Sequence, residues 1–230
     1  MSLAQTRFAA GIFLLGIVIA AVSGIFHPDH QVPNDHAAVF AEYAESSAWT
    51  LIHLGQFLGI ALIVVGLLSF CWAAGAKDGL AGWASRLGAA LAIASLAVYA
   101  ALQAVDGVAL KQAVNAWQAA PEPEKVARFA VAEGIRWLEW GVRSYHSFVF
   151  GLALVAIGTS VVLGNRLSKV FGYLLAASGV AYLIQGWVVG TEGFSAANSI
   201  PTLVSIVAIV LSAIWMLVSS VLMKPAQAGT

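Results

Sequence analysis

Six uninterrupted apolar stretches dominate this chain, and they leave few folds open to it. They run Phe8–Phe26, Trp49–Ala74, Trp83–Val105, Ser144–Gly164, Lys169–Val189 and Pro201–Met223. A run of about 18 apolar residues or more is long enough to cross a bilayer as a helix. The runs are continuous rather than alternating, so they read as helices and not as strands of a barrel. Composition agrees. Of 230 residues, 60% are hydrophobic and 10% charged, against about 45–50% and about 25% in soluble domains. Eleven Lys+Arg balance eleven Asp+Glu, so no net field attracts nucleic acid. The single cysteine, Cys71, excludes an intramolecular disulfide and a cysteine-rich zinc site. The expected fold is an all-α polytopic membrane bundle of six transmembrane helices. It forms one domain over 1–223, followed by a flexible tail at 224–230.

The first run is too long for a signal-peptide core, and His27 and Pro28 follow it in place of a small-residue cleavage site, so it reads as a retained helix. Basic residues set the orientation. With the N-terminus inside, the inner segments hold Arg7, Lys77, Arg86, Arg166, Lys169 and Lys224 against the one acid Asp78. The outer loops 27–48 and 190–200 carry no Lys or Arg. Both ends are then expected in the cytoplasm. Trp49, Trp83, Trp137, Trp140 and Trp187 fall near span ends, where indoles favour the membrane interface. Gly55, Gly59 and Gly66 in the second span, and Gly151 and Gly158 in the fourth, are spaced for close helix packing. Spans two and three also look faintly like spans four and five. A His (His53, His146) opens each pair, and Tyr-then-Gln (Tyr99 and Gln103, Tyr182 and Gln185) closes it.

The stretch FGLALVAIGTSVVLGNRLSKVFGYLLAASGVAYLIQGW, Phe150 to Trp187, and the segment AEYAESSAWTLIHLGQFLG within Ala41–Leu68 resemble an uncharacterised family of bacterial six-helix integral membrane proteins. The resemblance implies a six-span fold in a bacterial cytoplasmic membrane, with no known activity. Its histidine-rich first outer loop departs from that family's pattern. In such a membrane the outer side is periplasmic.

All five histidines, His27, His30, His36, His53 and His146, fall on that outer side. Ionisable groups at membrane depth are costly and mark functional sites. The first outer loop, HPDHQVPNDHAAVFAEYAESS, adds Asp29 and Asp35. Imidazole with carboxylate suits zinc, iron or copper. The candidate metal ligands are therefore His27, His30, His36, His53, His146, Asp29 and Asp35. Gln56, Gln103, Asp106, Glu139 and Gln185 lie at similar depth and would support them from behind. The competing reading gives Asn34 and Asp35 a turn or the cap of a helix at 36–46, leaves the loop histidines solvated, and makes the glutamines interhelical hydrogen bonds. The outer segment 107–143 is amphipathic. Pro121, Glu122 and Glu124 start a helix in it that leads toward the fourth span and roofs the bundle or lies along the membrane.

Three functions follow. The first is a metalloprotein with a periplasmic histidine cluster, an oxidoreductase or hydrolase acting on a lipid-soluble small molecule. The second is a haem b electron-transfer protein that uses His53 and His146 as axial ligands and exchanges electrons with a quinone. The third is a non-catalytic carrier or accessory subunit, although no charge lies near the middle of any span, where an ion-coupled carrier needs one. Oligomerisation is left open.

Overall fold

A computed structural model describes residues 3–28, 30–74 and 78–222. The expected tail at 224–230, with Lys224, lies outside the described residues, as does Lys77. The helices are α1 (Leu3–Ile25), α2 (His36–Glu45), α3 (Trp49–Ala74), α4 (Gly79–Ala104), α5 (Lys111–Gln118), α6 (Glu122–Leu163), α7 (Lys169–Glu192) and α8 (Ser199–Leu222). The protein is all-α, and among the described residues six helices are long and apolar enough to cross a membrane. We call the end of the bundle that carries His27, His53 and Asp106 the histidine end.

Two helix pairs are closed by glycines. In the first, α1 lies against α3. A Cβ at Gly59 would come within 2.6 Å of the Ala20 backbone N, and one at Gly16 within 2.6 Å of the Gly59 carbonyl. In the second, α6 lies against α7, where a Cβ at Gly158 would meet the Gly172 carbonyl at 2.5 Å and one at Gly151 the Gly179 carbonyl at 2.7 Å. Without side chains in the way, these backbones approach closely and gain packing that lipid cannot offer. The helix-pair likeness in the sequence does not carry into this arrangement, because α3 is zipped to α1 and not to its sequence neighbour α4.

Away from the histidine end, the seam between the two pairs is filled by aromatic side chains. Phe13, Phe70 and Phe171, all fully buried, meet edge-on, with centroids 5.8 Å apart for Phe13 and Phe70 and 4.8 Å for Phe70 and Phe171.

Two features shape the histidine end. The first is a π-helical stretch, Val105–Leu110, that joins α4 to α5. Such bulges interrupt the regular hydrogen-bond ladder and recur at functional sites. The second is α6. Its outer segment is helical from Glu122, as the proline and acidic residues there suggest, and continues unbroken into the fourth span for 42 residues. Against its N-terminal half, α2 and α5 pack Val39, Phe40, Tyr43, Trp49, Leu110, Val114 and Ala132 into a small second core. The first loop is thereby folded back over the bundle. Asp35 caps α2, its Oδ1 accepting from Ala38 N at 3.2 Å. At the other end of α2, Lys111 Nζ donates to the carbonyls of Tyr43 (2.6 Å) and Ala44 (2.9 Å). An ammonium there satisfies carbonyls the helix leaves free and suits the negative end of its dipole.

Candidate metal centre

Three donors from separate parts of the chain converge beneath this roof. His27 follows the end of α1, His53 lies on the first turns of α3, and Asp106 sits in the π-helical stretch. One donor atom from each lies within 4.8 Å of the others. The His27 and His53 rings are 5.2 Å apart between centroids. Trp49 and Tyr43 pack around them, Trp49 at 4.4 Å from the His53 ring and Tyr43 at 5.7 Å from that of His27.

The local backbone accounts for the aim of each group. His53 Nδ1 lies 2.8 Å from the Trp49 carbonyl four residues earlier, so Nδ1 carries the proton and donates it. In the neutral ring, Nε2 is then left with a lone pair, and a backbone carbonyl tying the other nitrogen is the usual way a metal-binding imidazole is oriented. His53 Nε2 lies 3.1 Å from Asp106 Oδ2. That is ion-pair range, but the angles do not make a hydrogen bond, and His53 Nε2 and Asp106 Oδ1 are both buried with no hydrogen-bond partner among the described residues. Trp49 Nε1 donates to the Asp106 carbonyl at 3.2 Å and so ties the bulge to α3. Gly107 makes room for the ring, since a Cβ there would stand 2.8 Å from the Cβ of His53.

Two donors each about 2.1 Å from a tetrahedral metal lie about 3.4 Å apart. The His53–Asp106 separation is close to that value. Two imidazoles and one carboxylate form a nitrogen–oxygen set that suits zinc or ferrous iron and leaves at least one coordination position free. The residues present therefore fit a divalent transition metal.

The other sequence candidates lie elsewhere. His30 pairs through Nδ1 with Glu42 Oε1 and is largely exposed. His36 Nδ1 lies 3.0 Å from Glu133 Oε1, and its ring stacks on Phe40. Asp35 is occupied as the α2 cap, and Asp29 lies outside the described residues. His146 is 2% exposed, with its ring packed parallel to Phe150 and 4.7 Å from the ring of Tyr99. Neither of its nitrogens has a hydrogen-bond partner among the described residues. It does not join the group formed by His27, His53 and Asp106, so the two imidazoles of the haem reading occupy separate surroundings.

Of the residues expected behind the ligands, Asp106 is itself a donor. Gln185 accepts from Ser147 Oγ at 3.1 Å and donates to Thr202 Oγ1 at 2.8 Å, joining α6, α7 and α8. Gln103 Nε2 donates to Gln56 Oε1 at 3.5 Å between α4 and α3. Glu139 is ion-paired with Arg136 one turn earlier on α6, and both are buried. The Arg136 guanidinium rests over Tyr43 and Phe194, 5.6 and 5.0 Å from their ring centroids. Phe194 reaches that place because the chain turns at Gly193, whose φ of +68° favours glycine and whose Cβ position is filled by the Trp140 ring at 2.5 Å.

The Trp49 carbonyl that orients His53 escapes a reading of spacing alone. Asp106, followed by Gly107 inside an apolar run, is visible as an extra ligand or a support, and here it is one of the three donors. Arg143 falls on a 3-4-3 polar stripe with Arg136, Glu139 and His146, and it stands on the wall of the adjoining cavity. Comparison with family models, with curated proteins and with solved structures yields no match to this chain.

Proposed function

We propose that this is an integral membrane metalloprotein that binds one divalent transition metal, zinc, iron or copper, through His27, His53 and Asp106 on the periplasmic side of a bacterial inner membrane. The observation that carries the reading is the convergence of three donor atoms within 4.8 Å from three distant segments, in a partly buried place where Asp106 Oδ1 has no hydrogen-bond partner among the described residues and His53 Nε2 has only the ion-pair contact with Asp106. A buried acceptor without a hydrogen bond costs about 1–3 kcal/mol, and a metal ion there would remove that cost. With three protein ligands, a coordination position stays open to water or substrate, and a metal there supplies Lewis acidity or an activated water. An enzyme acting on a lipid-soluble small molecule fits such a centre, placed at a membrane boundary next to a cavity.

The test is elemental analysis of protein purified in detergent without chelator, then reloaded and desalted. About one metal per chain is expected. His53→Ala and Asp106→Asn should each lose most of it, whereas His30→Ala and His36→Ala should keep it. Equal metal content in all five proteins would refute the site. A Soret band lost in His146→Ala would favour the haem reading instead.

A further inference from the structure

Beside the metal donors lies a cavity of about 540 Å³, within the roughly 300–1,000 Å³ of small-molecule sites. We propose that it binds a long-chain amphiphile with a single anionic head, carboxylate or phosphate, the head held by Arg143 and the tail leaving between α1 and α8 into the outer leaflet. The inference goes beyond the metal reading and stands without it, because Arg143 is not one of the donors and only His27 is shared with the cavity wall.

Charge is the first support. Four charged side chains line the cavity: Arg136, Glu139, Arg143 and Glu42. Arg136 and Glu139 are ion-paired, and Glu42 Oε1 is bonded to both the ring and the backbone N of His30. Arg143 feels the Glu139 carboxylate one turn earlier on α6, but it makes no ion pair or hydrogen bond of its own among the described residues, and its Nε is buried. An arginine stays charged under all ordinary conditions. It lies about 10 Å along α6 from Arg136 toward the bundle interior. A fixed cation at that depth is expensive unless an anion bonds it directly, and Glu139, the nearby carboxylate, is already bonded by Arg136.

The shape of the wall is the second support. On the α8 side the cavity is bounded by Ser199 and Thr202, then by Leu203 and Ile206. Leu203 is 62% exposed and Ile206 50%. The same side chains thus line the cavity and face outward from the bundle, where lipid tails lie. Polar groups on the same wall as Arg143, with an apolar exit on α8, make an arrangement suited to an amphiphile and not to a small free anion.

The experiment uses the full chain in phosphatidylcholine nanodiscs with spin-labelled stearate, at a pH where the carboxylate is ionised. Electron paramagnetic resonance reads the motionally restricted fraction. Stearate should bind about tenfold more strongly than its spin-labelled methyl ester, the scale of a charge-assisted hydrogen bond. Arg143→Gln should erase that preference, and Arg143→Lys should keep most of it. Leu203→Trp, which narrows the exit and leaves the cation in place, should lower the restricted fraction severalfold even if Arg143→Gln does not fold. Equal binding of acid and ester would overturn the proposal, as would a preference that survives in Arg143→Gln. Displacement of stearate by millimolar inorganic phosphate would also overturn it, since the site would then take a free anion. Metal content, measured on the same samples, reports separately on the metal reading.

Discussion

Between the zipped pair α1–α3 and the zipped pair α6–α7 runs one seam, and its two ends are filled in opposite ways. Toward the end away from the histidines, Phe13, Phe70 and Phe171 plug it with three fully buried rings. At the histidine end the same seam holds a buried ion pair, an unpaired guanidinium, two imidazoles, a carboxylate and a cavity. The glycine contacts explain how both are tolerated. Because each pair is closed backbone to backbone, the space between pairs need not be packed everywhere for the bundle to hold. Stability and chemistry are thereby assigned to different lengths of the same helices.

The sharpest way to break this division is to open a zipped pair. A Cβ at Gly158 would lie 2.5 Å from one backbone atom and 2.9 Å from another. Backbone yields less than a side chain, so Gly158→Leu should cost at least about 3 kcal/mol, the upper end of overpacking. Size-exclusion chromatography in detergent should show aggregate in place of a single folded peak. Emptying the plug comes next. Phe171→Ala should lower stability by about 3–5 kcal/mol, read by thermal or denaturant unfolding, yet leave metal content unchanged. A loss of metal would mean that the two ends are not independent. At the other end, wild-type protein in metal at a hundredfold excess over Kd should gain about 2.7 kcal/mol of stability, and Asp106→Asn under about 1 kcal/mol, by the same unfolding assay with and without chelator. The smallest effect is expected at the roof. Asp35→Ala removes the cap of α2 and should cost about 1 kcal/mol, seen as faster amide hydrogen exchange over 36–41 with little change elsewhere.

The spans and the small contact residues along them were largely legible in the sequence, for a physical reason. Lipid forces long apolar runs and small contact residues, and both are local patterns. The cap at Asp35 was legible in the same way, because a capping side chain acts on its own backbone three residues on. Partners were not legible. Nothing in the spacing says that Gly59 meets Ala20, or that His36 finds Glu133, 97 residues away. The histidines illustrate the limit. All five were drawn to one side by the same polar environment, but a shared depth leaves their angular positions open, and only His27 and His53 face one another. Asp106 was readable as a polar residue near a span end, but its place among the donors depends on the π-helical stretch that carries it, and Val105-Asp106-Gly107 does not announce such a stretch.

That stretch has a consequence for how the molecule tolerates insertion and deletion. One additional residue in the turn rotates everything beyond it by about 100° relative to an unbroken α-helix. The rotation decides which face of α5 meets α2, so that Leu110 and Val114 look into the roof and Lys111 reaches the end of α2. Removing a single residue between 105 and 110 would restore a straight helix, swing the carboxylate off its partners and turn the roof contacts away together. The register of one turn thus times two otherwise unrelated assemblies, and neither can drift without the other.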